Sequence, residues 1–184
     1  KFYKVFTPFW KACLQKFDKT EPDQPLPPPE NPKTISDSDS LSLDDLDLLP
    51  QGEGNWHKPL IDQWDVGEEA AHKALEGFCQ DRMTDYNKKR NRPDVDGTSR
   101  LSPHLHFGEI SPRQVYHEAH KALENEQSGQ KGADVFLSEI GWREFSYNLI
   151  YHIPTLPEKP LQEQFEDFKW NDNKDDLKAW QRGK

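Results

Sequence analysis

Glu139, Trp142 and Arg143 stand at i, i+3 and i+4 in the stretch FLSEIGWREFSY, with Glu144 beside them. That spacing puts the three on one face of a helix. An indole next to a carboxylate and a guanidinium can stack on a flat ring while hydrogen-bonding its edge. A tryptophan packed beside an ion pair is the plainer reading, and the commoner one in helical proteins. The stretch GTSRLS, Gly97–Ser102, offers a second chemistry. Glycine permits close backbone approach, hydroxylated residues supply donors and Arg100 supplies a fixed charge, a set that suits a phosphate or diphosphate. On composition alone, an ordinary turn capped by Thr98 and Ser102 is preferred.

Lys88, Lys89, Arg90 and Arg92 form a basic cluster that can meet DNA or cofactor phosphates, although a solvated charged face explains it more simply. His104 and His106, and His117 and His120, have spacings that can seat a metal. No set of three or four ligands converges with them, so core or surface histidine is the preferred reading. The sequence contains no Ser-His-Asp arrangement, Walker loop or dinucleotide fingerprint.

The elements that must hold these residues read as helical. Val66, Ala70, Ala74, Leu75, Phe78, Cys79 and Met83 recur at spacings of three and four up to Tyr86. Pro93 and Gly97 break the chain. Ser111-Pro112-Arg113-Gln114 is a capping box with proline at the first helical position. The helix it opens turns Val115, Ala119, Ala122 and Leu123 inward and ends near Ser128-Gly129. Another helix is predicted from about Ala133 to Tyr151, with Phe136, Ile140, Leu149 and Ile150 on one side, stopping before Pro154. Asn173 or Asp172 caps a last short helix containing Leu177 and Trp180. Near the start, Phe2, Val5 and Phe6 suggest a short strand or loop broken at Pro8, followed by a helix from Phe9 to Phe17. No alternating strand appears after residue 60. The ordered part is therefore expected to be all-α.

At 184 residues and 21.5 kDa, the chain has the length of one domain or one and a half. Its 33% hydrophobic content lies below the usual globular share, roughly 45% even with glycine counted, so either part is unstructured or part of a larger core is missing. No apolar run is long enough to span a membrane, and no basic start precedes an apolar stretch. Cys13 and Cys79 match no metal spacing or disulfide framework, which makes a reducing compartment the expectation. The net charge of -9 is uneven: residues 1–20 carry five Lys and one Asp, whereas residues 21–80 carry three Lys and fourteen acids. Eight of the fifteen prolines fall in residues 21–60, beside Ser36-Asp37-Ser38-Asp39-Ser40 and Asp44-Asp45-Leu46-Asp47. Proline removes donors and acids repel one another, so this stretch reads as a surface linker, with a partner-binding or phosphorylated acidic motif as the alternative.

Three stretches taken together are more specific than any alone: KVFTPFWKA (4–12), GTSRLSPHLHFGEISPRQVY (97–116) and GWREFSYNLIYHIPTLPEKPL (141–161). In that order they resemble the DNA photolyase/cryptochrome family, most closely bacterial class I cyclobutane pyrimidine dimer photolyases. The resemblance implies that residues 1–20 are the C-terminal end of an α/β antenna domain, 21–61 an acidic, proline-rich interdomain linker, and 62–184 the N-terminal half of a helical FAD-binding domain. The chain then reads as a fragment, inactive in isolation. The residues facing the flavin and the inner electron-transfer residues would lie beyond Lys184.

The resemblance also implies roles. Tyr86, Thr98, Ser99, Arg100, Leu101, Ser102, Phe136 and Arg143 match FAD-binding positions, with the 98–102 loop around the diphosphate and ribityl chain. Arg90 matches a contact to the damaged strand. Glu139 matches the acid that hydrogen-bonds the dimer's bases, Trp142 the indole that stacks on the flipped-out dimer, and Arg143 an arginine that lines the cofactor cavity and is also placed among the DNA contacts. Trp170 matches the solvent-side end of a tryptophan electron-transfer chain. The implied activity is light-driven, FAD-dependent splitting of pyrimidine dimers, a carbon-carbon lyase reaction. The implied partner is UV-damaged DNA, with a folate or deazaflavin antenna pigment in the parent, no membrane, a monomeric state and a bacterial cytoplasmic location. A cryptochrome, a FAD-binding blue-light receptor without repair activity, is the alternative; Glu139 with Trp142 favours repair.

Overall fold

The computed structural model describes residues 2–33, 40–42, 44–48, 57–125 and 129–184. Lys1, residues 36–39 of the acidic Ser-Asp run, and Ser128 at the expected helix end lie outside them. Among the described residues every regular element is helical: α1 Phe6–Phe17, α2 Lys58–Ile61, α3 Glu68–Asp81, α4 Tyr86–Lys89, α5 Ser102–Phe107, α6 Pro112–Asn125, α7 Gln130–His152 and α8 Lys174–Gln181, with short 3-10 turns. The chain divides into two compact units, Leu14–Ile140, and Lys1–Cys13 with Gly141–Lys184.

The core of the Leu14–Ile140 unit is built from Ala71, Leu75 and Phe78 of α3, Val115 and Ala119 of α6, and Ala133, Phe136 and Leu137 of α7. α3 packs on α6. The capping box forms as expected: Gln114 N–H donates to Ser111 Oγ at 3.2 Å, and Ser111 N–H donates to Gln114 Oε1 at 2.7 Å. Gly132 sets the approach of α7 to the turn Met83–Asp85. A Cβ there would lie 1.9 Å from the Met83 carbonyl oxygen, so no side chain fits. Val66, expected on the apolar face, is exposed, and α3 ends at Asp81 instead of continuing to Tyr86. A 3-10 turn re-aims the chain there, which buries Met83 and Tyr86 on a new axis.

In the other unit, Phe6 of α1 meets Trp142 and Phe145 of α7, Phe9 meets Phe145, and the Trp10 ring lies over Gly141. The N-terminal segment is a loop, as expected, only as far as Val5, and Pro8 does not break the helix that follows. The helix starts at Phe6, and Pro8 falls in its first turn, where an N–H has no intrahelical acceptor and its loss costs nothing. At the far end, Asn173 caps α8, its side-chain oxygen accepting from Asp175 N–H at 3.0 Å. Leu177 and Trp180 on α8 are exposed.

Candidate functional site

The turn that Gly132 admits delivers Tyr86 and Arg90 to α7. Tyr86 is buried edge-on against Phe78 and Phe136, with both centroid distances 5.5 Å. Phe78 and Phe136 themselves are 4.5 Å apart, which closes an aromatic triangle. Burial pushes the Tyr86 phenol above its ordinary range; the Arg90 guanidinium opposes this and the Glu139 carboxylate adds to it. Arg90, one turn on from Tyr86, lies 5.8 Å from that ring and makes an ion pair with Glu139. The two carry 29% and 35% of their side-chain surface exposed, so the pair can be reached from solvent. The rest of the basic cluster has acidic partners nearby, two carboxylates for three cations. Lys88 and Lys89 both hold Asp85, at 3.1 and 3.2 Å, and Arg92 holds Asp94.

The Gly97–Ser102 stretch is pinned at both ends. Gly97 is buried, and a Cβ there would come 2.8 Å from the Lys89 carbonyl oxygen. Leu101 is fully buried and Ser102 opens α5, so the loop proper is only Thr98–Leu101. Ser99 Oγ accepts from Leu101 N–H at 3.4 Å. The N–H groups of Thr98, Ser99 and Arg100 meet no acceptor among the described residues. Arg100 takes a left-handed backbone, φ 55°, which costs about 1–2 kcal/mol for a residue with a Cβ. Its guanidinium sits 4.8 Å over the Trp64 ring. Trp64 and Arg100, with Lys73 of α3 and His104 of α5, line a cleft of about 250 Å³. His104 is buried and its Nδ1 lies 2.5 Å from a Glu109 carboxylate oxygen, a structural pairing.

The other unit holds Trp142, Arg143 and Trp170. Trp142 stacks on Phe6 and is 45% exposed. Arg143 bonds Glu144 at 2.7 Å and lies over the Tyr147 ring at 4.8 Å. Trp170 is 83% exposed, with Phe168 edge-on at 4.9 Å.

The structure thus joins Tyr86, Arg90, Phe136 and Glu139, residues that the sequence presents in separate stretches. Sequence reasoning did not find the Arg90–Glu139 pair, the Trp64 cover of Arg100 or the Phe6 contact of Trp142. No local pattern marks such distant partners. It also did not find α5, which is too short for a periodic signal.

The chain is similar to known proteins. The family model described as the FAD binding domain of DNA photolyase matches residues 136–184. The chain is 40% identical to the deoxyribodipyrimidine photo-lyase of Agrobacterium fabrum, over 98% of this chain and 37% of that protein. It is 34% identical to cryptochrome-1 of Arabidopsis thaliana, over 99% of this chain and 27% of the other. A crystal structure of a bacterial class III photolyase from Agrobacterium tumefaciens superposes with a TM-score of 0.86 at 38% identity, covering 98% of this chain and 36% of that one. The chain therefore spans a little over a third of the photolyases it matches.

Proposed function

We propose, from the premise that this chain belongs to the DNA photolyase/cryptochrome family, that it forms part of a flavoprotein that repairs UV-damaged DNA by light-driven splitting of cyclobutane pyrimidine dimers. The observation that carries the reading is Glu139. Its carboxylate reaches solvent beside a guanidinium, which suits it to the edge of a base and serves no need of a receptor that only signals. On this reading residues 1–20 end an antenna domain, 21–61 are the linker and 62–184 are half of the helical domain. The protein would act as a monomer in the bacterial cytoplasm, with a folate or deazaflavin pigment in its antenna domain.

The residues present fit FAD on one count: the N–H donors of Thr98, Ser99 and Arg100 have no acceptor among the described residues, which supports a loop that can receive a diphosphate. Those residues, with Leu101 and Ser102, would hold the diphosphate and ribityl chain, and Tyr86, Phe136 and Arg143 would hold the rest. When bound, FAD supplies the photoexcited electron that opens the cyclobutane ring, and recovers it, with no net oxidation. The protein's own part is recognition. Arg90 and Arg143 attract the strand, Trp142 receives the flipped-out dimer on its exposed face, and Glu139 hydrogen-bonds the base edge. Flipping costs a few kcal/mol, less at a damaged and poorly paired site. Trp170 would connect the flavin to reductants outside.

The similarity to cryptochrome-1, 34% identical over 99% of this chain, favours a second reading as a blue-light receptor. Irradiating the full-length flavin-loaded protein with dimer-containing DNA under blue light separates the two. Light-dependent loss of dimers is expected. Photoreduction of flavin with no loss of dimers would assign the receptor reading.

A further inference from the structure

Arg90 and Glu139 are 49 positions apart in the chain, yet they pair directly, and each has been read as a contact to DNA. Both cannot serve DNA while they hold each other. We propose that Arg90 is shared between two anions: Glu139 in the DNA-free protein and a backbone phosphate in the complex. The ion pair is then a latch that sets specificity for the lesion. This rests on the DNA-repair reading above.

The geometry allows the exchange. Each partner is about a third exposed, so the guanidinium can change partners without disturbing the core, and the Tyr86 ring 5.8 Å away supports it in either state. Its neighbours on the basic cluster have acidic partners of their own: Lys88 and Lys89 share Asp85, and Arg92 pairs with Asp94. The exchange has an asymmetric consequence. When a phosphate takes Arg90, Glu139 is left as a partly buried carboxylate without its cation, which is unfavourable. On intact DNA the bases stay stacked and nothing replaces the guanidinium. On a lesion, a flipped-out dimer presents ring N–H groups, and these are donors to a carboxylate. The penalty is thus applied to undamaged DNA and relieved by the dimer. Discrimination arises from an unpaired group in the wrong complex as much as from contacts in the right one.

A double-mutant cycle in the full-length, flavin-loaded protein tests this, with binding measured to intact duplex and to duplex carrying one dimer. Arg90→Ala should weaken both and lower the salt slope by about one. Glu139→Gln should tighten binding to intact duplex by about 2- to 5-fold, the worth of a solvent-reachable ion pair, and should weaken binding to the dimer. In the Arg90→Ala background that tightening should vanish. Arg90→Lys, which keeps the charge and guards against a misfolded alanine variant, should retain it. Tightening of equal size with and without Arg90 would reduce Glu139 to general charge repulsion; it would overturn the latch and leave the DNA reading standing. No tightening at all would also overturn the latch. Unchanged affinity in Arg90→Ala for both duplexes would overturn the latch and the DNA role of Arg90 together.

Discussion

Phe6 lies flat against Trp142, with ring centroids 3.8 Å apart and planes 10° apart, so one face of the indole is already taken. The stack fixes the plane in which the other face is offered. A rigid aromatic platform binds a base better than a mobile one, because less rotamer freedom is lost on contact.

Trp142→Ala in the full-length protein should therefore lose about 1–3 kcal/mol of preference for dimer-containing over intact DNA, the usual worth of base stacking on an aromatic ring. Phe6→Leu should cost less, because the indole stays and only its orientation loosens. Competition binding with the two duplexes measures both. Undiminished discrimination in Trp142→Ala would remove the stacking role.

The Thr98–Leu101 loop predicts flavin retention. Gly97→Ala forces a Cβ to within 2.8 Å of the Lys89 carbonyl, so the loop must shift and flavin content on purification should fall. Ser99→Ala should lower it less, since it removes a hydroxyl that braces Leu101 N–H at 3.4 Å. Full flavin content in both variants would leave the stretch as an ordinary turn.

Trp170 has little packing to lose at 83% exposure. Trp170→Phe should leave the melting temperature unchanged and slow photoreduction of oxidised flavin by an external reductant, followed by absorbance, because phenylalanine is much harder to oxidise than indole. Repair that starts from reduced flavin should be nearly intact. Equal photoreduction in both proteins would exclude Trp170 from the electron path.

Cys79 predicts an alkaline effect. Burial, helped by the Glu118 carboxylate, pushes its thiol up to about 11 from an ordinary 9.0. The unfolded chain therefore releases this proton first as pH rises. The associated stability is complete below pH 9 and is lost as pH climbs through 11. Denaturation midpoints from pH 8 to 11 should decline less steeply in Cys79→Ser. Alkylation of Cys79 in the folded protein should be slow at pH 8.5, because the thiolate is the nucleophile.

The sequence made local features legible and left distant ones hidden. The Ser111–Gln114 capping box, the long helix ending before Pro154 and the Asn173 cap are all written within a few residues, and each forms. Pro8 misled because proline breaks a helix interior but is tolerated in a first turn, and which applies depends on where Phe6 packs. Arg90 was readable as a cation and Glu139 as an acid, but not as partners, since pairing across 49 positions is decided by how α7 packs on the Met83–Asp85 turn.

The bare backbone of Gly132 against the Met83 carbonyl has a consequence for biosynthesis. The Met83–Asp85 turn leaves the ribosome well before α7 does, and the Arg90–Glu139 span of 49 positions must be made in between. At typical elongation rates that is a delay of roughly 2–10 seconds, during which Phe78, Tyr86 and Arg90 have no α7 to meet. Closing such a span costs about 3 kcal/mol of chain entropy in a flexible loop. Arg90 and Glu139 are thus paired late, and a nascent chain stalled before Gly132 would expose Phe78 and Tyr86 to chaperones and proteases.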